Sequence, residues 1–291
     1  MKITDDGIYH VRQSDIETFL NCPEQSRRKM LVADGSRSES DAATVGTALH
    51  TVIEHELAGN TYSSLKECKG FSAKTFLELL EEYAANPLCS YSAESFGTHA
   101  RAMEQLAILA ESWYTSKLRA DLLHYPTDEL HTEWNFDLPF MVDRGSGKPD
   151  IWLSGTSDLV FANQVWDWKS TSSMRSYTPW EKQRWAVQPT VYLWAASEAG
   201  LIRADADALY QFSYQVFVRG KVQEPQAVRV TRSNQNFHWL ERVVENMVHM
   251  ATKMGTDEEW PLNDHSALCG PKWCPFWSAC KGSIIDGETW V

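Results

Sequence analysis

Nowhere in this chain is an apolar run long enough to cross a membrane, and the opening MKITDDGIYH has no apolar signal region. The expectation is therefore a soluble, cytoplasmic protein. Internal repeats and low-complexity segments are missing, which argues against solenoids and disordered tails. There is no G-x-x-x-x-G-K-[ST] loop, so no helicase motor is encoded; a helicase or recombination partner would have to be on another chain. Basic residues are outnumbered, with 27 Lys and Arg against 39 Asp and Glu and a formal net charge of −12. That counts against a broadly basic nucleic-acid surface but leaves room for a local basic groove. Cysteine is scarce too, at six residues. Without a secretory signal disulfides are not expected, so clustered cysteines point to a metal or a cluster.

What is present is ordinary for a globular chain able to bury a large core: 43% hydrophobic and 23% charged residues. The thirteen tryptophans read mainly as packing, with base stacking open to a few. Ser14 and Glu17 have capping-box spacing, which predicts a short helix ending near Pro23. Leu49, Val52, Ile53 and Leu57 predict a helix over 46–58. Further helices are predicted over 73–84, 97–122, 179–199 and 235–254. Trp134, Phe136 and Leu138 alternate with Glu133, Asn135 and Asp137, the pattern of a half-buried strand. Strands follow at 151–161 and 164–170, joined by a tight turn near Ala162-Asn163, and then at 208–218 and 226–231. The order of helices and strands predicts an α/β or α+β core with a helical N-terminal elaboration.

The chemistry concentrates in Gly155-Thr156-Ser157-Asp158 and Asp167-Trp168-Lys169. Alternate side chains of a strand share a face, so Asp167 and Lys169 point one way and Trp166 and Trp168 the other. Counting back from the turn brings Asp158 opposite Asp167. Two converging carboxylates can hold a hard divalent cation such as Mg²⁺ or Mn²⁺. A lysine beside them can position or deprotonate an attacking water. A lone D/E-x-K carries little weight, since Glu67-Cys68-Lys69 is a second instance in no strand; the partner carboxylate at the right offset supplies the rest. His50 and His55 do not make an H-E-x-x-H zinc motif. Glu54 shares the His50 helix face.

In order along the chain, these segments resemble the RecB-like PD-(D/E)XK nucleases, which include the CRISPR-associated RecB-like exonucleases and the nuclease domains of AddB-type proteins. Val45-Gly46-Thr47-Ala48-Leu49-His50 looks like that family's metal-binding histidine helix. Gly155-x-x-Asp158 looks like its GxxD strand, Asp167-x-Lys169 its D/E-x-K strand, and Gln188-x-x-x-Tyr192 its QxxxY helix. The resemblance implies one nuclease domain over 1–291, with a restriction-endonuclease-like mixed sheet flanked by helices and a helical insertion at 60–125. It implies that His50, Asp158, Asp167 and the Trp168 backbone carbonyl ligate Mg²⁺ or Mn²⁺, and that Lys169 serves the water nucleophile. Gln188 and Tyr192 would hold the DNA. Read from the residues alone, Arg175 and Arg184 are candidate phosphate contacts or solvated charges, Glu54 a ligand or a partner behind one, and Glu133 a site residue or a solvent-facing glutamate. Pro189 sits awkwardly inside the predicted 179–199 helix, which it would kink. The implied activity is exonucleolytic hydrolysis of DNA phosphodiesters leaving a 5′-phosphate.

Cys269-x4-Cys274-x5-Cys280 gathers three thiolates, and Pro271 and Pro275 keep the segment from a regular helix. RecB-like nucleases with iron–sulfur clusters take a fourth ligand from a distant Cys-Pro segment, which Cys22-Pro23 resembles. Four thiolates suit a 4Fe–4S cluster clipping the two termini together. Zinc is the competitor, although paired C-x2-C spacing is missing. Cys68 and Cys89 read as plain thiols. Two alternatives stay open: a nuclease-like module that binds DNA or protein without catalysis, and a zinc-stapled protein with a coincidental D-x-K.

Overall fold

The structure is a computed structural model that describes residues 1–32, 37–142, 147, 149–263, 265–266 and 268–280. Along the chain run β1 (Lys2–Ile3), β2 (Tyr9–Arg12), α1 (Gln13–Asn21), α2 (Pro23–Met30), β3 (Arg37–Ser40), α3 (Asp41–Leu57), α4 (Leu65–Ala85), β4 (Cys89–Ser92), α5 (His99–Thr115) and α6 (Lys117–Leu122). They are followed by β5 (His131–Met141), β6 (Ile151–Phe161), β7 (Gln164–Thr171), α7 (Pro179–Trp185), α8 (Gln188–Glu198), β8 (Tyr210–Val218), β9 (Gln226–Arg232) and α9 (Asn234–Met254). Among the described residues no helix is long and apolar enough to cross a membrane.

Element types follow the sequence pattern closely, while several boundaries move for local reasons. The first helix begins at Gln13 rather than Ser14, because Asp15 rather than Glu17 reaches back to the Arg12 N–H at 2.9 Å. The His50 helix starts five residues before the predicted 46, where Ser40 Oγ accepts the Ala43 N–H. Residues 97–122 form two helices, since Ser116 leaves helical geometry and caps α6 through the Arg119 N–H at 3.0 Å. The predicted 179–199 helix is also two, broken at Ala186-Val187; Pro189 lies in the first turn of α8, where its missing N–H costs nothing.

The chain divides into two compact units. The first comprises residues 1–34, 136–155 and 234–291. Within it β2 runs parallel to the start of β6, Tyr9 opposite Ile151 and Arg12 opposite Ser154, with β1 antiparallel outside it. A buried Glu24 carboxylate ties α2 to the residues after α9. It accepts from Arg27 at 2.6 and 2.8 Å, from Arg28 at 2.7 Å and from the Trp260 N–H at 2.9 Å. Burial alone would raise the Glu24 pKa, but these donors carry it below the usual carboxylate value.

The second unit, residues 35–135 and 156–233, has three layers. The end of β6 pairs antiparallel with β7, β7 parallel with β8, and β8 antiparallel with β9, giving a mixed sheet. Parallel strands need a crossover, and α7 with α8 supplies it between β7 and β8. On one face Leu159, Phe161, Trp168 and Phe217 pack against α3, α4 and α5 in the main core, with Trp168 beside Trp113. On the other face lies α8. The β6–β7 turn has Ala162 at φ 48° and Asn163 at φ 63°, the left-handed pair that a two-residue hairpin requires. The 60–125 stretch holds α4, β4, α5 and α6.

Candidate active site

The hairpin does not stay zipped. Its pairing runs from Phe161–Gln164 to Leu159–Trp166 and stops, one step short of Asp158 and Asp167. Beyond that step the Asp158 carboxylate takes the place of a strand carbonyl, and its Oδ2 accepts the Trp168 N–H at 2.6 Å. Its other oxygen faces His50, whose Nδ1 lies 3.2 Å away. His50 is delivered by α3, which passes over β7 so closely that a Cβ on Gly46 would touch Ser170 Oγ at 3.4 Å.

Glu133 enters from β5 by a strained route. Its φ is 45°, a conformation that non-glycine residues seldom adopt inside a strand. The distortion is pinned in place: Asn135 Nδ2 donates to the Glu133 carbonyl at 3.0 Å, and Thr156 Oγ1 donates to Asn135 Oδ1 at 2.7 Å. Beyond Glu133 the expected alternation holds: Trp134, Phe136 and Leu138 are buried or half-buried, while Asn135 and Asp137 are exposed. Among the described residues, His50, Glu133 and Asp158 bring one ligand atom each within 4.8 Å of one another. Together with Glu54, Thr156, Trp168 and Lys169 they line a cleft of about 420 Å³.

Asp167 stands outside that trio, buried between two donors. Lys169 Nζ lies 3.0 Å from Oδ1 and 2.8 Å from Oδ2, and Gln188 Nε2 donates to Oδ1 at 2.6 Å. Oδ2 is sealed from solvent, and among the described residues no donor is aligned on it. Tyr192, one turn after Gln188, shares a hydrogen bond with that amide; burial, and then the Asp167 charge, push its phenol up to about 12. The predicted DNA contacts separate here. Gln188 and Tyr192 sit against Asp167, whereas Arg175 and Arg184 are exposed, with Arg184 over the rings of Trp180 and Trp185.

The electrostatics are those of a cation site holding protons. Burial, then the charges of Asp158 and Glu54, push Glu133 up to about 7. Burial also raises Asp167, although Lys169 opposes it. Burial would lower His50, but the Asp158 charge wins and raises it. Asp158 goes down: its burial is outweighed by His50, Lys169 and the Trp168 N–H. Lys169 goes up despite its burial, because Asp167 and Asp158 favour the ammonium.

These shifts set a pH dependence. From pH 4.5 to about 7 the folded chain keeps the Glu133 proton that the unfolded chain has lost, so this group's contribution to stability falls as pH rises. The His50 contribution is fully present below its unfolded pKa and also fades as pH rises past it. Both act in one direction. The melting temperature of metal-free protein should decline between about pH 5 and 8, and Glu133→Gln should flatten that decline. An unchanged slope in the Glu133→Gln protein would rule out this account. The Glu24 carboxylate, already ionised in both states across that window, adds nothing to the slope.

Comparison with known proteins fits this geometry. A family described as the PD-(D/E)XK nuclease superfamily matches residues 10–281. The chain belongs to that superfamily. Membership in the PD-(D/E)XK superfamily points to a metal-dependent nuclease and agrees with the mixed sheet flanked by helices. No curated protein matches. Eight chains of solved structures do, among them one entitled "Crystal structure of SSO0001", 12% identical, covering 92% of each chain with a TM-score of 0.32.

The sequence leaves open whether Glu133 contributes to the site; the structure puts its carboxylate beside Asp158 and His50. The signal was faint: an acidic residue at the start of a strand, on the polar side of an alternating pattern. The positive φ that aims it has no sequence signature, since glutamate is not a residue of left-handed geometry.

Proposed function

We propose that this PD-(D/E)XK chain is a divalent-metal-dependent DNA exonuclease acting in recombination, repair or processing of DNA. The observation that carries the reading is the meeting of His50, Glu133 and Asp158 at the opened end of the β6–β7 hairpin, beside the buried Asp167–Lys169 pair. The donor set fits Mg²⁺ or Mn²⁺: carboxylate oxygens with one imidazole, and a buried Asp167 oxygen without an aligned donor. His50, Asp158, Asp167 and the Trp168 carbonyl would hold the ion, with Glu133 as a further oxygen donor and Glu54 behind it. A bound divalent ion supplies a water of lowered pKa and neutralises charge growing on the phosphate.

The side chains do the rest. Lys169, kept as an ammonium by Asp167 and Asp158, offers hydrogen bonds to the attacking water and to a phosphate oxygen; in this protonation state it orients rather than deprotonates. Gln188 fixes one Asp167 oxygen and so sets the direction of the other. Gln188 and Tyr192 would meet the DNA backbone at the site, and Arg175 and Arg184 would meet phosphates further out.

The cysteines support a second cofactor. Cys22 occupies the break between α1 and α2, and with Cys269, Cys274 and Cys280 it lines one cavity of the first unit. Four thiolates around one cavity suit a 4Fe–4S cluster, with zinc as the competitor.

Digestion of end-labelled single- and double-stranded DNA tests the proposal. Mononucleotide release with Mg²⁺ or Mn²⁺, stopped by EDTA and reduced at least about a hundredfold by Asp158→Asn, is the expected result. Cleavage that persists in EDTA would overturn it, and a ladder of internal cuts would replace exonuclease by endonuclease. The same protein, purified without oxygen, should be brown and carry iron; zinc in its place would remove the cluster. Binding without any cleavage would leave a nuclease-like DNA-binding module.

A further inference from the structure

The helix between the β7 site and α8 is built unlike its neighbours. None of the seven residues of α7 is buried, yet the helix is clamped from beneath. β9 is the outer strand of the sheet, and Gln183 closes its edge like a partner strand: Oε1 accepts the Thr231 N–H at 2.9 Å and Nε2 donates to the Thr231 carbonyl at 3.1 Å. From the next residue the buried Arg232 donates to the Gln183 carbonyl at 3.0 Å, the Ala186 carbonyl at 2.8 Å and Thr190 Oγ1 at 2.8 Å. One guanidinium thus satisfies the C-terminal carbonyls of α7 and fixes the α7–α8 corner. That corner precedes Gln188.

Two large apolar side chains stand exposed on this clamped helix, and packing does not explain them. Trp180 is 62% exposed and Trp185 65%. Arg184 lies over both, its guanidinium carbon 5.5 Å from the first ring centre and 4.8 Å from the second. On the site side, Lys182 stands 4.3 Å over the Tyr177 ring, and Tyr177 is within electrostatic reach of Lys169 and Asp167. Aromatic and cationic groups therefore continue from the cleft onto the helix. In a chain of net charge −12, residues 170–188 carry three cations, Arg175, Lys182 and Arg184, against the single carboxylate of Glu181. Thr178 Oγ1 donates to that carboxylate at 2.7 Å.

We propose that α7 is a stacking platform for unpaired bases, on which Trp180 and Trp185 hold a single-stranded DNA segment leading into the cleavage site. Indole faces stack on any base whose own face is free, and interleaved cations follow the phosphates; duplex bases have those faces covered. A protein ligand would fit the rings and the cations but would not account for their continuity with the cleft. The inference deepens the nuclease reading and rests on it: it names the substrate as DNA with a single-stranded end.

Fluorescence anisotropy in EDTA tests it, with full-length protein, a labelled oligothymidine of about 20 nucleotides and a blunt duplex of equal length. Trp180→Ala/Trp185→Ala should weaken single-strand binding at least about tenfold and duplex binding less than about threefold. Trp180→Phe/Trp185→Phe should keep most of the affinity, because a phenyl face also stacks. Equal losses on both DNAs, or single-strand binding within about twofold of wild type in the alanine protein, would overturn the platform. The two proposals fail separately. Metal-dependent cleavage with binding indifferent to the tryptophans removes the platform alone; tryptophan-dependent binding with no cleavage in any metal removes the nuclease alone.

Discussion

Lys169→Met lowers DNA cleavage by about two to four orders of magnitude, the range for a positioned group acting on a proton or charge in the transition state. Methionine keeps much of the stem and removes the ammonium. The loss should lie mainly in the turnover rate, because DNA affinity is spread over the whole binding face while Lys169 acts at the reacting atoms. Mn²⁺ affinity should behave differently. Deleting a cation next to the site favours a second cation, but Lys169 also holds down the Asp167 pKa, so the variant keeps its Asp167 proton to higher pH. Around pH 6 the variant should bind Mn²⁺ more weakly than wild type, and around pH 8.5 as well or better, with more protons released on binding. Lys169→Arg should recover only part of the rate, since a planar fork cannot place one donor where the ammonium stands. A Lys169→Met protein that cuts at the wild-type rate would remove this residue from the reaction.

The hairpin bearing Asp158, Asp167 and Lys169 could be read directly from the chain, because a period of two and a two-residue turn are local properties. The His50 helix was equally legible from its apolar spacing. What escaped depends on partners far away in sequence. The unzipping at Asp158 occurs because a side-chain carboxylate outcompetes a backbone carbonyl for the Trp168 N–H, and no periodicity announces that. The parallel pairing of β2 with β6 joins residues 9–12 to 151–154, a contact with no local trace. The α7–α8 corner falls at Ala186-Val187, neither of them a helix breaker; it is held by Arg232, more than forty residues later. Pro189 was the available clue, since proline favours a first turn over a helix interior. The cysteines were legible as a spacing and, for Cys22, only through family resemblance.

Glu56→Ala should destabilise the second unit by about 3–5 kcal/mol, the usual consequence of stripping one partner from a buried ion pair. Glu56 lies on α3 with no solvent exposure. Its carboxylate is fully engaged: Arg119 Nε and Nη2 donate at 2.7 and 2.6 Å, Trp113 Nε1 at 2.8 Å and the Tyr62 N–H at 3.2 Å. Four donors from three segments meet on one side chain, fastening the helix that carries His50 to α5, α6 and the loop before α4. Alanine would leave the buried Trp113 N–H without an acceptor and strip the half-buried Arg119 guanidinium of its carboxylate, leaving it the Tyr114 carbonyl at 3.2 Å, beside a cavity. At roughly 2–4 °C per kcal/mol for a unit of this size, the melting temperature should fall on the order of 10 °C. Two comparisons separate this from a generic loss of charge. Glu78→Ala, on an exposed i,i+4 pair with Lys74 at 3.5 Å, should change stability by less than about 0.5 kcal/mol. Glu56→Ala combined with Arg119→Ala should be less damaging than the sum of the two single variants, because no uncompensated guanidinium remains. A Glu56→Ala protein melting within about 2 °C of wild type would show that α3, and the position of His50 with it, is held by apolar packing alone.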